Sequence, residues 1–99
     1  MSVKKVVKDR KHIRFTTYTQ KGGRGAHQSR VADFRGRGAK GRAGKLSRIL
    51  LQRGALSVTI KYDKNTHHYR LYASYPTGKQ TEILKKSKTK FNKWERERK

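Results

Sequence analysis

Two runs of alternating apolar and polar residues in the second half of the chain restrict its fold more than any other feature. Residues 56–62 carry Leu, Val, Ile and Tyr at every second position, and residues 69–75 repeat the pattern with Tyr, Leu, Ala and Tyr. Because side chains alternate between the two faces of a β-strand, each run predicts a strand with one apolar face. Residues 63–66 are polar and typical of a turn. The sequence therefore predicts an antiparallel β-hairpin here.

A strand and a helix are predicted upstream of this hairpin. Residues 12–19 are rich in β-branched and aromatic side chains and contain neither Gly nor Pro, which favours a strand with Arg14 and Tyr18 on one face. Residues 45–53 place apolar side chains at i, i+3 and i+4 and are followed by Gly54, which is typical of a helix and its C-terminal end. We expect the apolar face of this helix to cover one face of the sheet.

The C-terminal quarter predicts a turn, a short strand and a second helix. Pro76 and Gly78 are typical turn residues, and residues 80–84 are expected to form a short third strand. From residue 85 onward the chain is basic, with Phe91 and Trp94 three positions apart. That spacing suits a helix with a narrow apolar stripe, and we expect the two rings to dock the helix on the core.

Net charge is the second constraint, because the chain carries 28 Lys and Arg against six Asp and Glu, for a formal net charge of +22. Only 31% of the residues are hydrophobic, so a small core and a marginally stable fold are expected. Residues 1–99 are expected to form a single α+β domain, with a small antiparallel sheet of three to four strands, one packed helix and a C-terminal helix. A polyanionic partner should stabilise this domain, because it would bind the folded form and reduce self-repulsion.

Two basic segments are expected to be flexible. Residues 1–10 carry only weak structural signals. Residues 21–45 contain eight basic residues, seven glycines and one acid, Asp33, and a connection of this length without structure of its own is usually functional or disordered. In composition the segment resembles RGG-type tails and the basic extensions of ribosomal proteins and histones. Because glycine lets a backbone follow an irregular surface and arginine can fork onto a phosphate, we interpret it as a long disordered Gly/Arg-rich arm or loop that contacts nucleic acid.

The candidate nucleic-acid contacts fall into three groups. The Gly/Arg-rich segment supplies cations for phosphates, the polar face of the sheet interleaves cations with aromatic rings, and the C-terminal segment supplies lysines. If the strand at residues 12–19 lies beside the hairpin, Arg14 and Tyr18 are expected to join the sheet surface. The candidate residues are Arg14, Tyr18, Lys21, Arg24, Arg30, Arg35, Arg37, Lys40, Arg42, Lys45, Lys61, Arg70, Tyr72, Lys85, Lys86, Lys88 and Lys90.

Residue spacing gives less support to catalysis or to metal binding. His27 lies in the segment expected to be flexible, and His67 and His68 lie beside a turn, so no acid–base pair stands out. The chain has no cysteine and its acids are scattered, so we expect no metal site, no cofactor and no enzyme activity. A small metal-independent ribonuclease that depends on His27 and His68 is the catalytic alternative.

The sequence therefore predicts a non-catalytic nucleic-acid-binding protein. Duplex DNA is slightly favoured, and ribosomal RNA is the alternative because a basic arm can become ordered within folded RNA. Another alternative is an inhibitor that binds the anionic channel of a nucleic-acid enzyme, which would make the partner an acidic protein. The longest apolar run, residues 49–51, is too short to span a membrane, and the first residues show no secretory signal. We therefore expect no membrane partner, no secretion, and a cytoplasmic or nucleoid- or nucleus-associated location; the oligomeric state stays open.

Overall fold

The chain forms a five-stranded antiparallel sheet and two helices in the computed structural model, which describes residues 3–20 and 27–98. The strand order across the sheet is β1-β2-β4-β5-β3. The predicted α+β class is confirmed, with five strands instead of three or four. The elements, in chain order, are β1 (Val3–Arg10), β2 (Ile13–Gln20), β3 (Ser29–Phe34), α1 (Ala39–Gln52), β4 (Ser57–Asp63), β5 (His68–Ser74) and α2 (Gln80–Glu97).

The core lies between α1 and the central strands. Leu46 and Leu50 of α1 are buried, as are Val58 of β4 and Leu71 of β5. Removing each such side chain from water stabilises the fold by about 1.5–3 kcal/mol. The predicted β-hairpin is confirmed, since β4 and β5 pair in register from Ser57 to Asp63.

The second helix docks on the end of β3 through aromatic packing and on the first helix through an ion pair. Phe91 is buried with its ring edge-on to Phe34, at a centroid distance of 5.8 Å. Arg42 Nε of α1 donates to Glu95 Oε2 of α2 at 2.8 Å. The prediction of a docked C-terminal helix is confirmed. The prediction of a strand at residues 80–84 is wrong, because these residues form the start of α2.

Both segments predicted to be flexible contain regular structure. Residues 3–10 pair with β2 along their whole length and form the edge strand β1. Within residues 21–45, Ser29–Phe34 forms β3, which pairs with β5 across a bulge at Val31. The prediction of a disordered arm is therefore wrong for residues 27–45, whereas residues 21–26 lie outside the described part of the chain.

Glycines in the Gly/Arg-rich segment have defined structural positions. Gly36 and Gly38 have φ values of 81° and 80°, a left-handed conformation that L-residues with a Cβ avoid, and they turn the chain from β3 into α1. Helix α1 then starts at Ala39, six residues before the predicted start. Ala39 and Ala43 extend the buried stripe of α1 toward its N-terminus, although such small side chains gave a weak periodic signal.

None of the helices in the described residues is long and apolar enough to cross a membrane.

Two glycine substitutions test this assignment within one short stretch. Gly44→Ala should raise the free energy of unfolding by about 0.5–1 kcal/mol, because alanine is the better helix former and a Cβ there meets nothing within 4 Å. Gly38→Ala should lower it by about 1 kcal/mol, because the residue is held at positive φ. Urea denaturation at constant salt measures both. Equal effects of the two substitutions would contradict the helix start at Ala39.

Candidate nucleic-acid interface

The strand register divides the sheet into a helix-covered face and an open face. Residues directly opposite one another on neighbouring strands point to the same side, so the register gives the residues of each face. Val58 and Leu71 lie on the side covered by α1. The open face is the other side, defined here by two neighbouring rows that run across the sheet from β1 to β3. The rows are Lys8, Phe15, Lys61, Arg70, Asp33, and Val6, Thr17, Thr59, Tyr72, Arg30.

The predicted placement of these side chains on one face of the sheet is confirmed in part. Lys61, Arg70 and Tyr72 share the open face, as expected. Arg14 and Tyr18 do not join them, because β2 pairs with β4 in a register that sets Arg14 opposite Tyr62 and Tyr18 opposite Val58. Both residues therefore point to the helix-covered side.

Positive charge on the open face is neutralised mainly at the β3 edge. Lys61 and Arg70 stand directly opposite each other, an arrangement of like charges that destabilises a strand pair. Asp33 Oδ2 lies 3.6 Å from Arg35 Nη2, 3.9 Å from Arg70 Nε and 3.9 Å from His68 Nδ1. This carboxylate is shared among three basic groups and is distant from the β1 side of the sheet.

A second basic surface lies between the two helices, on the opposite side of the sheet from the open face. It is a groove of about 750 Å³. Most of its lining residues are cations, and α2 supplies three of its lysines at i, i+4 and i+7. That spacing places them on one helix face. The helix groove is lined by Lys45, Arg53, Lys86, Thr89, Lys90, Lys93, Trp94 and Glu97.

Trp94 connects the helix groove to the core. Its ring packs 5.6 Å from the ring of Phe91, which confirms the expected packing role. Lys45 Nζ lies 5.6 Å and Arg98 Cζ lies 4.8 Å from the centroid of the Trp94 ring. Cation–π contacts of this kind hold positive charge beside the ring without neutralising it.

Few carboxylates oppose the cations of the helix groove. Lys86 Nζ donates to Glu82 Oε1 at 3.0 Å, and this hydrogen bond lowers the pKa of Glu82 below its ordinary value. Within residues 3–20 and 27–98, no carboxylate oxygen lies within 4.0 Å of the charged nitrogens of the other groove cations. These cations are Lys45, Arg53, Lys90 and Lys93.

Several cations predicted from the Gly/Arg-rich segment have structural partners. Arg42 pairs with Glu95 and lies 5.1 Å from the ring centroid of Phe34, and Arg35 lies beside Asp33. Other candidates are exposed but lie outside the lining of the helix groove: Arg37, Lys40, Lys85 and Lys88. Candidates Lys21 and Arg24 lie outside the described residues.

Five residues of the helix groove were missing from the sequence candidates: Arg53, Thr89, Lys93, Trp94 and Glu97. The helical spacing of Lys86, Lys90 and Lys93 is a signal that could have identified Lys93. Arg53 gives no such signal, because it joins the surface only when α1 and α2 pack together.

The histidines differ in their surroundings. His67 Nδ1 lies 3.1 Å from the hydroxyl of Tyr62, and His68 lies near Asp33 on the open face. His27 is exposed just before β3. In the described part of the chain, no three His, Asp or Glu side chains are grouped as metal ligands would be.

Lysine substitutions on α2 test whether the charge of the helix groove opposes folding. Lys90→Gln should raise stability at low salt by about 0.2–0.5 kcal/mol for each of its like-charged neighbours, Lys86 and Lys93. Lys86→Gln removes repulsion too but also loses the hydrogen bond to Glu82, so it should give no gain. Urea denaturation at 20 mM and 300 mM NaCl measures both, and the gain from Lys90→Gln should shrink at the higher salt. A loss of stability from Lys90→Gln would contradict this description.

Comparison of this chain with protein-family models, with curated proteins and with solved structures gives no match.

Proposed function

We propose that the protein is a non-catalytic nucleic-acid-binding protein that holds backbone phosphates in the helix groove. The observation that carries the proposal is the set of four groove cations without a carboxylate within 4.0 Å among the described residues. Like charges kept together at a cost to stability are expected where a polyanion neutralises them.

The chemistry of the helix groove favours contact with phosphates over base reading. Lysine is a compact point charge that binds phosphate without the fixed fork of arginine, and three of the four cations without a carboxylate partner are lysines. The three lysines that α2 contributes to the helix groove lie within seven positions of one another and span about 10 Å along the helix, enough to contact neighbouring phosphates. Such contacts position a nucleic acid without reading its sequence. Duplex DNA is the ligand we propose first.

Salt-dependent binding tests this proposal. The affinity of the protein for a 20-bp DNA duplex should fall by about three to five orders of magnitude between 50 and 200 mM NaCl if about six to ten phosphates are contacted. Fluorescence anisotropy with labelled duplex measures how the affinity changes with salt concentration. A structured RNA with the same number of phosphates is the alternative ligand. Incubation of the RNA probe with the protein, followed by gel analysis, tests the ribonuclease alternative in the same samples.

Paired charge variants test the helix groove itself. Lys90→Gln with Lys93→Gln should make the logarithmic salt slope shallower by about 1.8, since each phosphate contact on duplex DNA contributes about 0.9. The matched control is Lys5→Gln with Lys64→Gln, which removes the same charge from β1 and from the β4–β5 turn. Equal effects of the two variants would overturn the assignment to the helix groove. Absence of salt-dependent binding to both probes would contradict nucleic-acid binding and favour an acidic protein partner.

A further inference from the structure

A second cavity lies on the open face, on the other side of the sheet from the helix groove. Its volume is about 420 Å³, which is ample for a flat heterocyclic ring and its substituents. Residues from three neighbouring strands form it, so its shape depends on the pairing of β1 with β2 and of β2 with β4. The lining residues are Val6, Lys8, Arg10, Phe15, Thr17 and Thr59, and we name this site the strand cavity.

The strand cavity combines an aromatic ring, hydroxyl groups and cations. The ring is that of Phe15, with Lys61 Nζ 5.7 Å from its centroid. Thr17 Oγ1 and Thr59 Oγ1 lie 2.8 Å apart in a hydrogen bond between neighbouring strands. Each hydroxyl can still donate or accept another hydrogen bond. On β1, Lys8 is exposed and stands directly opposite Phe15.

We propose that the strand cavity binds an unpaired nucleobase of a single-stranded nucleic acid, an inference that rests on the proposed nucleic-acid function. The base stacks on Phe15, its edge contacts the hydroxyls of Thr17 and Thr59, and the adjoining phosphates contact Lys8 and Arg10. Stacking on an aromatic ring requires a base that is free of its own duplex stack. The strand cavity therefore differs in ligand class from the helix groove, which needs phosphates alone.

The charge pattern around Phe15 favours an anionic ligand. Its direct neighbours across the sheet are Lys8 on β1 and Lys61 on β4, followed by Arg70 on β5. Lysines on an edge strand also prevent aggregation between sheet edges, and the exposed Lys5 of β1 would serve that purpose equally well. That purpose does not require a phenylalanine between two lysines on a face that α1 does not cover. A nucleotide can make both contacts, because its base can stack on the ring and its phosphate can pair with the cations.

A second aromatic ring extends the same surface. Tyr72 lies on the open face two strands away from Phe15, which corresponds to about 10 Å across the sheet. It stands directly opposite Arg30 of β3, so a ring and a cation are again neighbours. A single strand that enters at Phe15 can therefore continue toward Tyr72.

Substitution of Phe15 tests the proposal. Phe15→Leu should weaken binding of a labelled ten-residue oligothymidine at 100 mM NaCl by at least about tenfold, which corresponds to about 1.4 kcal/mol, while affinity for the 20-bp duplex stays within twofold. The matched control is Tyr18→Leu, which removes a ring from the same strand on the opposite face, where Lys5 Nζ lies 6.0 Å from its centroid. Tyr18→Leu should change neither affinity by more than twofold. Circular dichroism and the Tm establish that each variant is folded.

Two milder substitutions keep the proposal testable if Phe15→Leu does not fold. Thr17→Val removes one hydroxyl with little change in shape and should weaken oligothymidine binding about three- to tenfold. Lys8→Gln should make the single-strand salt slope shallower by about 0.7, whereas Lys5→Gln, on the same strand but facing the other side, should not.

The two probes separate failure of this proposal from failure of the proposed function. If the native protein binds neither the duplex nor the oligothymidine, nucleic-acid binding as a whole is contradicted. Duplex binding without oligothymidine binding overturns the strand cavity alone. Oligothymidine binding that is unchanged by Phe15→Leu and Thr17→Val, or reduced equally by Tyr18→Leu, also overturns it.

Discussion

The pairing register of β2 on β4 is the constraint on which both faces of the sheet depend. A shift of one residue would move Phe15 and Thr17 to the helix-covered side and turn Arg14 and Tyr18 toward the open face. Contacts at both ends of the strand pair oppose such a shift. Gln20 donates its backbone N–H to Leu56 O and its Nε2 to Leu51 O, and Lys64 N donates to His12 O at the other end. The composition of the open face is therefore a consequence of hydrogen bonds away from its centre.

Scarcity of acids determines where positive charge stays unneutralised. The chain has six carboxylates for 28 cations, so a carboxylate that pairs at one surface leaves the cations of another surface without a partner. The pairs in the described residues join neighbouring elements or stabilise one: Asp9 links β1 to Arg14 of β2, Glu95 links α2 to Arg42 of α1, Asp33 lies at the β3 edge, and Glu82 pairs within α2. In the described residues, four cations of the helix groove have no carboxylate within 4.0 Å, and the charged side chains that β1 places on the open face are all cations. The carboxylates thus stabilise the packing of neighbouring elements, and because they are used there, both proposed ligand sites keep a positive charge.

Parts of this fold with a strong periodic signal could be predicted, and parts held by tertiary context could not. The β4–β5 hairpin alternates cleanly because one face of it is buried, and the rings of Phe91 and Trp94 mark the docked face of α2. Edge strands have no such signal: β1 is exposed on both faces, and the bulge at Val31 interrupts the period of β3. The start of α1 could not be predicted, because glycine is a poor helix former and because the buried residues of the first helical turns are alanines. Among the site residues, Lys61 and Tyr72 followed from the hairpin, whereas Phe15 required the register of β2, which no local pattern contains.

Location of the two proposed sites on opposite sides of one sheet has a mechanical consequence. The two sites lie on opposite sides of the sheet, so a single nucleic acid could reach both only by passing around an edge of the molecule, whose described residues span 35 × 34 × 21 Å. A duplex backbone in the helix groove and an unpaired strand in the strand cavity share no contact residue. Their binding energies are therefore expected to add when one nucleic acid contains both paired and unpaired segments, because sites without shared partners are usually independent. A molecule with a duplex–single-strand junction would gain from both sites at once through a high effective concentration of the second segment. The two proposals together therefore predict tighter binding of such a junction than of a duplex or a single strand alone.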